Sequence, residues 1–157
     1  MSADTILGID PGTRFIGIAI LRGGLLVHWQ VQNFQGKWSE DKLVRIQKAI
    51  LKHIERNNVT RIAIKIPDKL PNTKAFHQVL GSINIIAGER CNRIPYFTLK
   101  ELKKAYTGYA KCSLKTYHEQ VVKKYSELWL EYQKEQRNEE GYYFKIFEAV
   151  AAAGMIG

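Results

Sequence analysis

The opening of the chain constrains its fold more than any other segment. Two apolar runs, Thr5–Asp10 and Phe15–Leu21, are separated by an Asp-Pro-Gly turn, and a pair of glycines precedes a third run at Leu25–Val31. Short apolar runs bounded by turn residues are typical of strands joined by hairpins. We therefore expect a three-stranded antiparallel meander in which the carboxylate of Asp10 projects from the end of the first strand.

The rest of the chain alternates between helical and strand patterns. Apolar residues recur at steps of three or four between Leu43 and Ile54, which predicts an amphipathic helix. Caps and breaker residues delimit the other elements. The predicted helices cover Asp41–Asn57, Asn72 or Thr73 to about Arg90, Leu99–Tyr106, Ser113–Glu135 and Tyr142–Met155. Two further strands are predicted over Arg61–Ile66 and Ile94–Thr98, and a charged loop over Gln133–Gly141.

This order of elements predicts the fold class. An antiparallel meander followed by alternating strands and helices implies an α/β protein with a mixed five-stranded sheet and helices on both faces. The chain has 157 residues, a length that fits one domain over residues 1–157. A chain of this size can bury a substantial core without disulfides or metals to hold it together.

Composition narrows the partners and the compartment. Cys91 and Cys112 are far apart and show no zinc-ligand spacing, so we expect neither disulfide nor zinc and a cytoplasmic location. The first residues lack the pattern of a secretion signal, and no apolar stretch approaches the ~18 residues that span a bilayer, so no membrane partner is expected. The net charge of +9 favours a polyanionic partner such as nucleic acid, although a merely basic soluble surface is the alternative.

One motif identifies a candidate family. The string ILGIDPGTRFIGIAIL at residues 6–21 resembles the first motif of the RuvC family of Holliday-junction resolvases, which belong to the RNase H-like superfamily. The resemblance continues along the chain in the family's order. Further similar segments are RIAIK at 61–65, Asn72, Gly81, the basic stretch at 94–122 and FEAVAAAG at 147–154. The resemblance implies an RNase H-like fold over nearly the whole chain.

The resemblance also implies where catalytic residues should lie. The family hydrolyses phosphodiesters with two Mg²⁺ ions held by about four acidic groups. Matching the motifs places Asp10 and Glu148 at two acidic positions of this site, whereas Lys65 and Lys145 stand at the other two. Some family members carry histidine at the position of Lys145, so that position tolerates change.

These replacements change the electrostatics of the implied site. Two carboxylates and two ammonium groups have formal charges that cancel, and a neutral site offers little to offset the dehydration of a divalent cation. We therefore expect Lys65 or Lys145 to lie near Asp10 and Glu148 in the metal's place, with no tightly bound cofactor. The alternative is a rearranged site in which Asp10, Glu148 and Asp68 or a main-chain group bind Mg²⁺.

A basic segment follows the fifth predicted strand. Seven lysines and only two acids lie between residues 100 and 124. In the family this region contacts DNA phosphates, and Lys103, Lys104, Lys111 and Lys115 are the candidate contacts. A solvated helix face is the alternative. The interleaved tyrosines 106, 109 and 117 are predicted to pack rather than to stack on bases, and the four histidines to lie at the surface or its boundary.

These inferences lead to three candidate functions. The first is a RuvC-like protein that binds branched or duplex DNA, as a homodimer, with weak or absent nuclease activity. The second is an active Mg²⁺-dependent resolvase with a rearranged site, and the third is an interaction protein that no longer binds DNA. An apolar stripe over residues 79–87 would form a dimer contact in the family, and ordinary core packing is the alternative.

Overall fold

A computed structural model describes residues 4–90, 93–138 and 141–157, which form five strands and six α-helices. The strands are β1 Thr5–Asp10, β2 Phe15–Arg22, β3 Leu25–Asn33, β4 Arg61–Ile66 and β5 Tyr96–Thr98. The helices are α1 Glu40–Asn57, α2 Lys74–Gly88, α3 Leu99–Thr107, α4 Leu114–Lys124, α5 Trp129–Asn138 and α6 Phe144–Gly154.

The strands form one mixed sheet in the order β3-β2-β1-β4-β5. The β1, β2 and β3 strands make the predicted antiparallel meander, and β4 and β5 continue the sheet in parallel with β1. In the register of β1 and β4, Ile9 pairs with Ile64, which brings Asp10 and Lys65 to the same end of neighbouring strands. The predicted α/β fold class with a mixed five-stranded sheet is confirmed.

Helices cover both faces of the sheet, as the sequence predicts. On one face, α6 packs with α3 and α4 around a core that includes Phe147 and Tyr117. On the other face, α1 and α2 enclose a second core rich in isoleucine. The predicted apolar stripe of α2 contributes mainly to this second core, since Val79, Ile83 and Ala87 are buried. Core packing therefore accounts for these three residues, and the dimer contact stays a prediction.

Two glycines allow α6 to lie directly on the central strands. A Cβ atom at Gly8 would stand 2.1 Å from the carbonyl oxygen of Ala149, and one at Gly17 would stand 1.9 Å from that of Lys145. These separations are far below van der Waals contact, so only glycine permits the approach. The close contact fixes the first turns of α6 against the ends of β1 and β2.

The predicted long helix over Ser113–Glu135 is wrong. Helix α4 ends at Lys124, a short 3₁₀ turn follows at Ser126–Leu128, and α5 begins at Trp129. The break occurs because Tyr125 leaves the helical conformation (φ −121°, ψ 80°) and both Tyr125 and Leu128 are buried in the core.

The predicted loop over Gln133–Gly141 is also wrong from Gln133 to Asn138, since α5 continues to Asn138. Glu135 is buried in this helix, and its carboxylate accepts hydrogen bonds from the backbone N–H groups of Gly141 and Tyr143. This tertiary contact stabilises a segment whose mixed charge alone favours a loop. Other boundaries move by about two residues, with α2 ending at Gly88, β5 beginning at Tyr96 and α6 at Phe144.

The remaining sequence expectations concern cysteine and membranes. Cys112 is a free thiol, and Cys91 lies outside the described residues. Within the described ranges, none of the helices is both long and apolar enough to cross a bilayer.

Candidate active site at the end of the central strand

The candidate site is built by the end of β1, its neighbour β4 and the helix that packs across them. Asp10 is the last residue of β1 and is 3% exposed. Lys65 lies near the end of β4, and Lys145 and Glu148 lie three residues apart on α6. Side chains three apart share a helix face, so both α6 residues reach the strand end. The structure thus brings together all four residues that the motifs single out.

Two ammonium groups surround the carboxylate of Asp10. The Nζ atom of Lys145 lies 3.2 Å from Asp10 Oδ1 and donates a hydrogen bond of 3.0 Å to the carbonyl oxygen of Pro11. The Nζ atom of Lys65 lies 3.9 Å from the same Oδ1 and 3.8 Å from Glu148 Oε2. Lys65 therefore bridges the two carboxylates, and its side chain is only 14% exposed.

Glu148 has two further partners on α4. The Nε2 atom of His118 lies 2.9 Å from Glu148 Oε1, and the Tyr117 hydroxyl donates to Oε2 at 3.3 Å. His118 is 1% exposed and packs against the rings of Phe144 and Phe147. The prediction that each histidine lies at the surface or its boundary is wrong for His118. The three-residue spacing of His118 from Val121 on α4 does not by itself predict that the histidine faces the core.

Burial and charge oppose each other at Asp10. Burial raises the pKa of the Asp10 carboxyl and outweighs the nearby Lys145 and Lys65, which lower it, while Glu148 raises it again. Burial likewise raises the pKa of the Tyr117 hydroxyl well above its ordinary value, and the adjacent Glu148 adds to the shift. The lysines thus oppose the cost of placing carboxylates in a dry environment.

The donor set of this site does not fit the two Mg²⁺ ions that the family's chemistry uses. Magnesium requires oxygen ligands in near-octahedral geometry. Here Asp10 Oδ1 faces two ammonium groups, and both oxygens of Glu148 already contact Lys65, His118 or Tyr117. Across the described ranges, no group of three or more His, Cys, Asp or Glu side chains is arranged to hold a metal ion.

Asp68, the acid considered as a substitute ligand, has another role. Its Oδ1 atom accepts a 2.9 Å hydrogen bond from the backbone N–H of Lys100, in the first turn of α3. Carboxylates stabilise helix N-termini in this way because they satisfy N–H groups that lack partners within the helix. The structure therefore places Asp68 at the start of α3 and in none of the contacts of Asp10 or Glu148.

The basic segment follows β5 and runs over α3, the connecting loop and α4. Lys103 and Lys104 lie on α3, Lys111 on the connecting loop and Lys115 on α4, and the last three are exposed. Within the described residues, none of these lysines has an acidic side chain within ion-pair distance. The segment thus carries positive charge that no acidic side chain of the described residues neutralises.

The tyrosines of this segment divide into two groups. Tyr117 is buried, and Tyr106 donates a 2.8 Å hydrogen bond to the carbonyl oxygen of Ala151, as expected of packing residues. Tyr109 differs, because its side chain is 60% exposed on the loop between α3 and α4. The prediction of packing is therefore wrong for Tyr109. Its loop is held by Thr107, whose hydroxyl accepts from the Tyr109 N–H.

The fold and the comparisons define the class of protein. The mixed sheet with an acidic residue ending its central strand is an RNase H-like fold. The RuvC of Thermus thermophilus in complex with a Holliday-junction substrate superposes with a TM-score of 0.73 at 17% identity, covering 96% of this chain and 90% of that one. A second T. thermophilus RuvC structure gives a TM-score of 0.70 at 17% identity, with coverage of 95% and 90%.

The family follows from the sequence itself. The family model described as crossover junction endodeoxyribonuclease RuvC matches residues 6–137, so this chain belongs to the RuvC family. No curated protein matches the chain in sequence. The matched stretch ends before α6, so Lys145 and Glu148 lie beyond it and their assignment rests on the geometry described above.

Proposed function

We propose that this chain binds branched or duplex DNA and cleaves it weakly or not at all. The observation that carries the proposal is the position of the Lys65 ammonium group, 3.9 Å from Asp10 and 3.8 Å from Glu148. In a metal-dependent member of the family, the corresponding space is needed for a cation between carboxylates. A cation supplied by the protein itself satisfies the same carboxylates without offering an open coordination position.

Positive charge outside the strand end supports DNA binding, whereas the groups at the strand end disfavour hydrolysis. Lys65 and Lys145 neutralise Asp10 and Glu148, so the site does not repel phosphates as a cluster of four carboxylates would. The exposed lysines of α3 and α4 have no acidic partner among the described residues, and lysine ammonium groups hold phosphates as point charges. A phosphodiester backbone is therefore attracted to these lysines and meets no activated water at the strand end.

Three wider features belong to the same proposal. The chain acts as one domain, and it acts as a homodimer because twofold symmetry would match that of a four-way junction. We place the protein in the cytoplasm, where Cys112 stays reduced. The alternative of an active resolvase that recruits Asp68 is less favoured, because Asp68 binds the N-terminus of α3.

The proposal predicts salt-dependent DNA binding without cleavage. Fluorescence anisotropy should detect binding to a four-way junction and to duplex DNA at low salt. Each phosphate contact contributes about 0.9 to the slope of log affinity against log salt, so Lys103→Gln with Lys115→Gln should reduce the slope by up to about 2. The matched control, Lys134→Gln with Arg137→Gln, removes the same charge from α5 and should change the slope little.

Cleavage is measured on the same junction with Mg²⁺ and with Mn²⁺. The wild type should leave the junction uncut or cut only a small fraction of it, and Asp10→Asn should leave it uncut. Complete cleavage by the wild type that Asp10→Asn abolishes would instead support the active resolvase. A wild type that binds neither DNA at low salt would support the interaction protein.

A further inference from the structure

A second basic surface lies away from the candidate site. A groove of about 500 Å³ opens between α1 and the edge strand β3, and we refer to it as the α1–β3 groove. Four cationic side chains of α1 line it: Arg45, Lys48, Lys52 and Arg56. They recur at steps of three and four residues, so they form one row along the helix. At a rise of 1.5 Å per residue, the row is about 16 Å long.

The row has no acidic counterpart in the groove. All four cations are exposed, and within the described residues none has a carboxylate within ion-pair distance. The acids of α1 are elsewhere, since Glu40 and Asp41 precede the row in the first turn and Glu55 lies 3.7 Å from Arg90. No acidic side chain is among the described residues that line the groove. The groove is therefore a continuous region of positive charge.

The opposite wall supplies neutral polar groups. Gln30 and Gln32 of β3 both lie 2.9 Å from the Nε2 atom of His53, which accepts from the Gln30 amide in one tautomer and donates to the Gln32 amide oxygen in the other. Burial lowers the pKa of His53 to about 4, and the neighbouring His28, Arg56 and Lys52 contribute to the shift. The imidazole is thus neutral at pH 7, and the two amides and the ring make a polar wall that adds no negative charge.

The groove lies on the α1 face of the sheet, opposite the α6 face to which Asp10 points, and one end of it lies at the same end of the sheet as Asp10. Gly17 pairs with Asp10 on one side and with Val31 on the other, so Val31 is two strands, or about 10 Å, from Asp10. Gln30 and Gln32 flank Val31 along β3, so their side chains point to the face of the sheet opposite to the one that Val31 faces. The row of cations starts at this end, because Arg45 donates to the carbonyl oxygen of Gln35 just beyond β3.

We propose that the α1–β3 groove binds the phosphodiester backbone of a DNA arm that extends past the candidate site. This inference rests on the proposed DNA-binding function and adds a second contact surface to it. One DNA strand carries a phosphate about every 3.4 Å along the duplex axis, so a 16 Å row spans about five phosphates. Four cations with polar hydrogen-bonding groups opposite them match such a repeating, negatively charged and hydrophilic partner.

The test compares two pairs of lysines with one control pair. The groove variant is Lys48→Gln with Lys52→Gln, the basic-segment variant is Lys103→Gln with Lys115→Gln, and the control is Lys134→Gln with Arg137→Gln. Affinity for a four-way junction with 15-base-pair arms is measured by anisotropy across a range of salt concentrations. Thermal melting verifies that the exposed substitutions leave the fold intact.

We expect the groove variant to bind about tenfold more weakly at 0.15 M salt and its salt slope to fall by up to about 2. A groove variant that behaves like the control, while the basic-segment variant loses affinity, would overturn the groove and leave the proposed function standing. Absence of wild-type binding at low salt would overturn both.

Discussion

At the scale of single residues, Lys65 and Lys145 determine what the site can do. Asp10 and Glu148 are almost fully buried, and buried carboxylates are tolerated only with partners. The two lysines supply those partners at 3.2 to 3.9 Å. Because breaking a buried ion pair leaves an uncompensated charge, the four side chains depend on one another.

His118 extends this dependence to α4. Replacing His118 with alanine should lower the free energy of unfolding by about 3 kcal/mol, since it deprives buried Glu148 of a hydrogen bond and leaves a cavity beside Phe144 and Phe147. Urea denaturation measures this change. His77→Ala, at an exposed position of α2, should change stability by less than about 0.5 kcal/mol. A loss below about 1 kcal/mol for His118→Ala would contradict the role assigned to this contact.

The four central residues could be predicted from the sequence, and His118 could not. The glycine- and proline-bounded motif fixes the strand end at Asp10, and the spacing of Lys145 and Glu148 puts both on one helix face. A single histidine on a helix rich in lysine carries no comparable pattern. Its burial depends on how α4 packs against α6, which is a tertiary contact between residues 30 positions apart.

At the scale of elements, the position of α6 controls the site. The helix rests on β1 and β2 through Gly8 and Gly17, and its first turns carry Lys145 and Glu148 to Asp10. The helix therefore cannot move away from the sheet without separating the charged groups.

A methyl group at Gly17 tests this packing. Gly17→Ala should lower the free energy of unfolding by about 3 kcal/mol or more, because the added Cβ would stand 1.9 Å from the backbone oxygen of Lys145. The control is Gly81→Ala on the exposed face of α2, where a Cβ meets nothing within 4 Å. That substitution should raise stability by about 0.5 to 1 kcal/mol, as alanine is the better helix former. Equal effects of the two substitutions in denaturant titrations would refute the packing argument.

Elements with strong periodicity could be predicted, and those shaped by tertiary contacts could not. Helix α1 follows from its apolar spacing, and the structure adds an N-cap at Ser39, whose side chain accepts from the N–H of Lys42. The division between α4 and α5 was missed, because Tyr125 and Leu128 turn the chain into the core without any proline or glycine to signal the break.

At the scale of the whole molecule, the net charge of +9 is not spread evenly. One set of lysines without acidic partners among the described residues lies on α3, α4 and the loop between them, and another row of cations lines the α1–β3 groove. The chain has the fold of the RuvC family, and we propose that Lys65 and Lys145 stand at two positions where the family's site is acidic. We propose that the molecule still attracts DNA through these lysines and arginines but has lost the binding of metal.

The loss of metal binding is tested most directly by isothermal titration calorimetry. Mn²⁺ is titrated into the wild type and into the double variant Lys65→Glu with Lys145→Asp, and the heat of binding is measured. The wild type should give no binding heat up to millimolar Mn²⁺, because its own ammonium groups occupy the carboxylates. The double variant restores four acidic groups at the strand end and should bind Mn²⁺ with measurable affinity. Wild-type binding that Asp10→Asn abolishes would contradict the account.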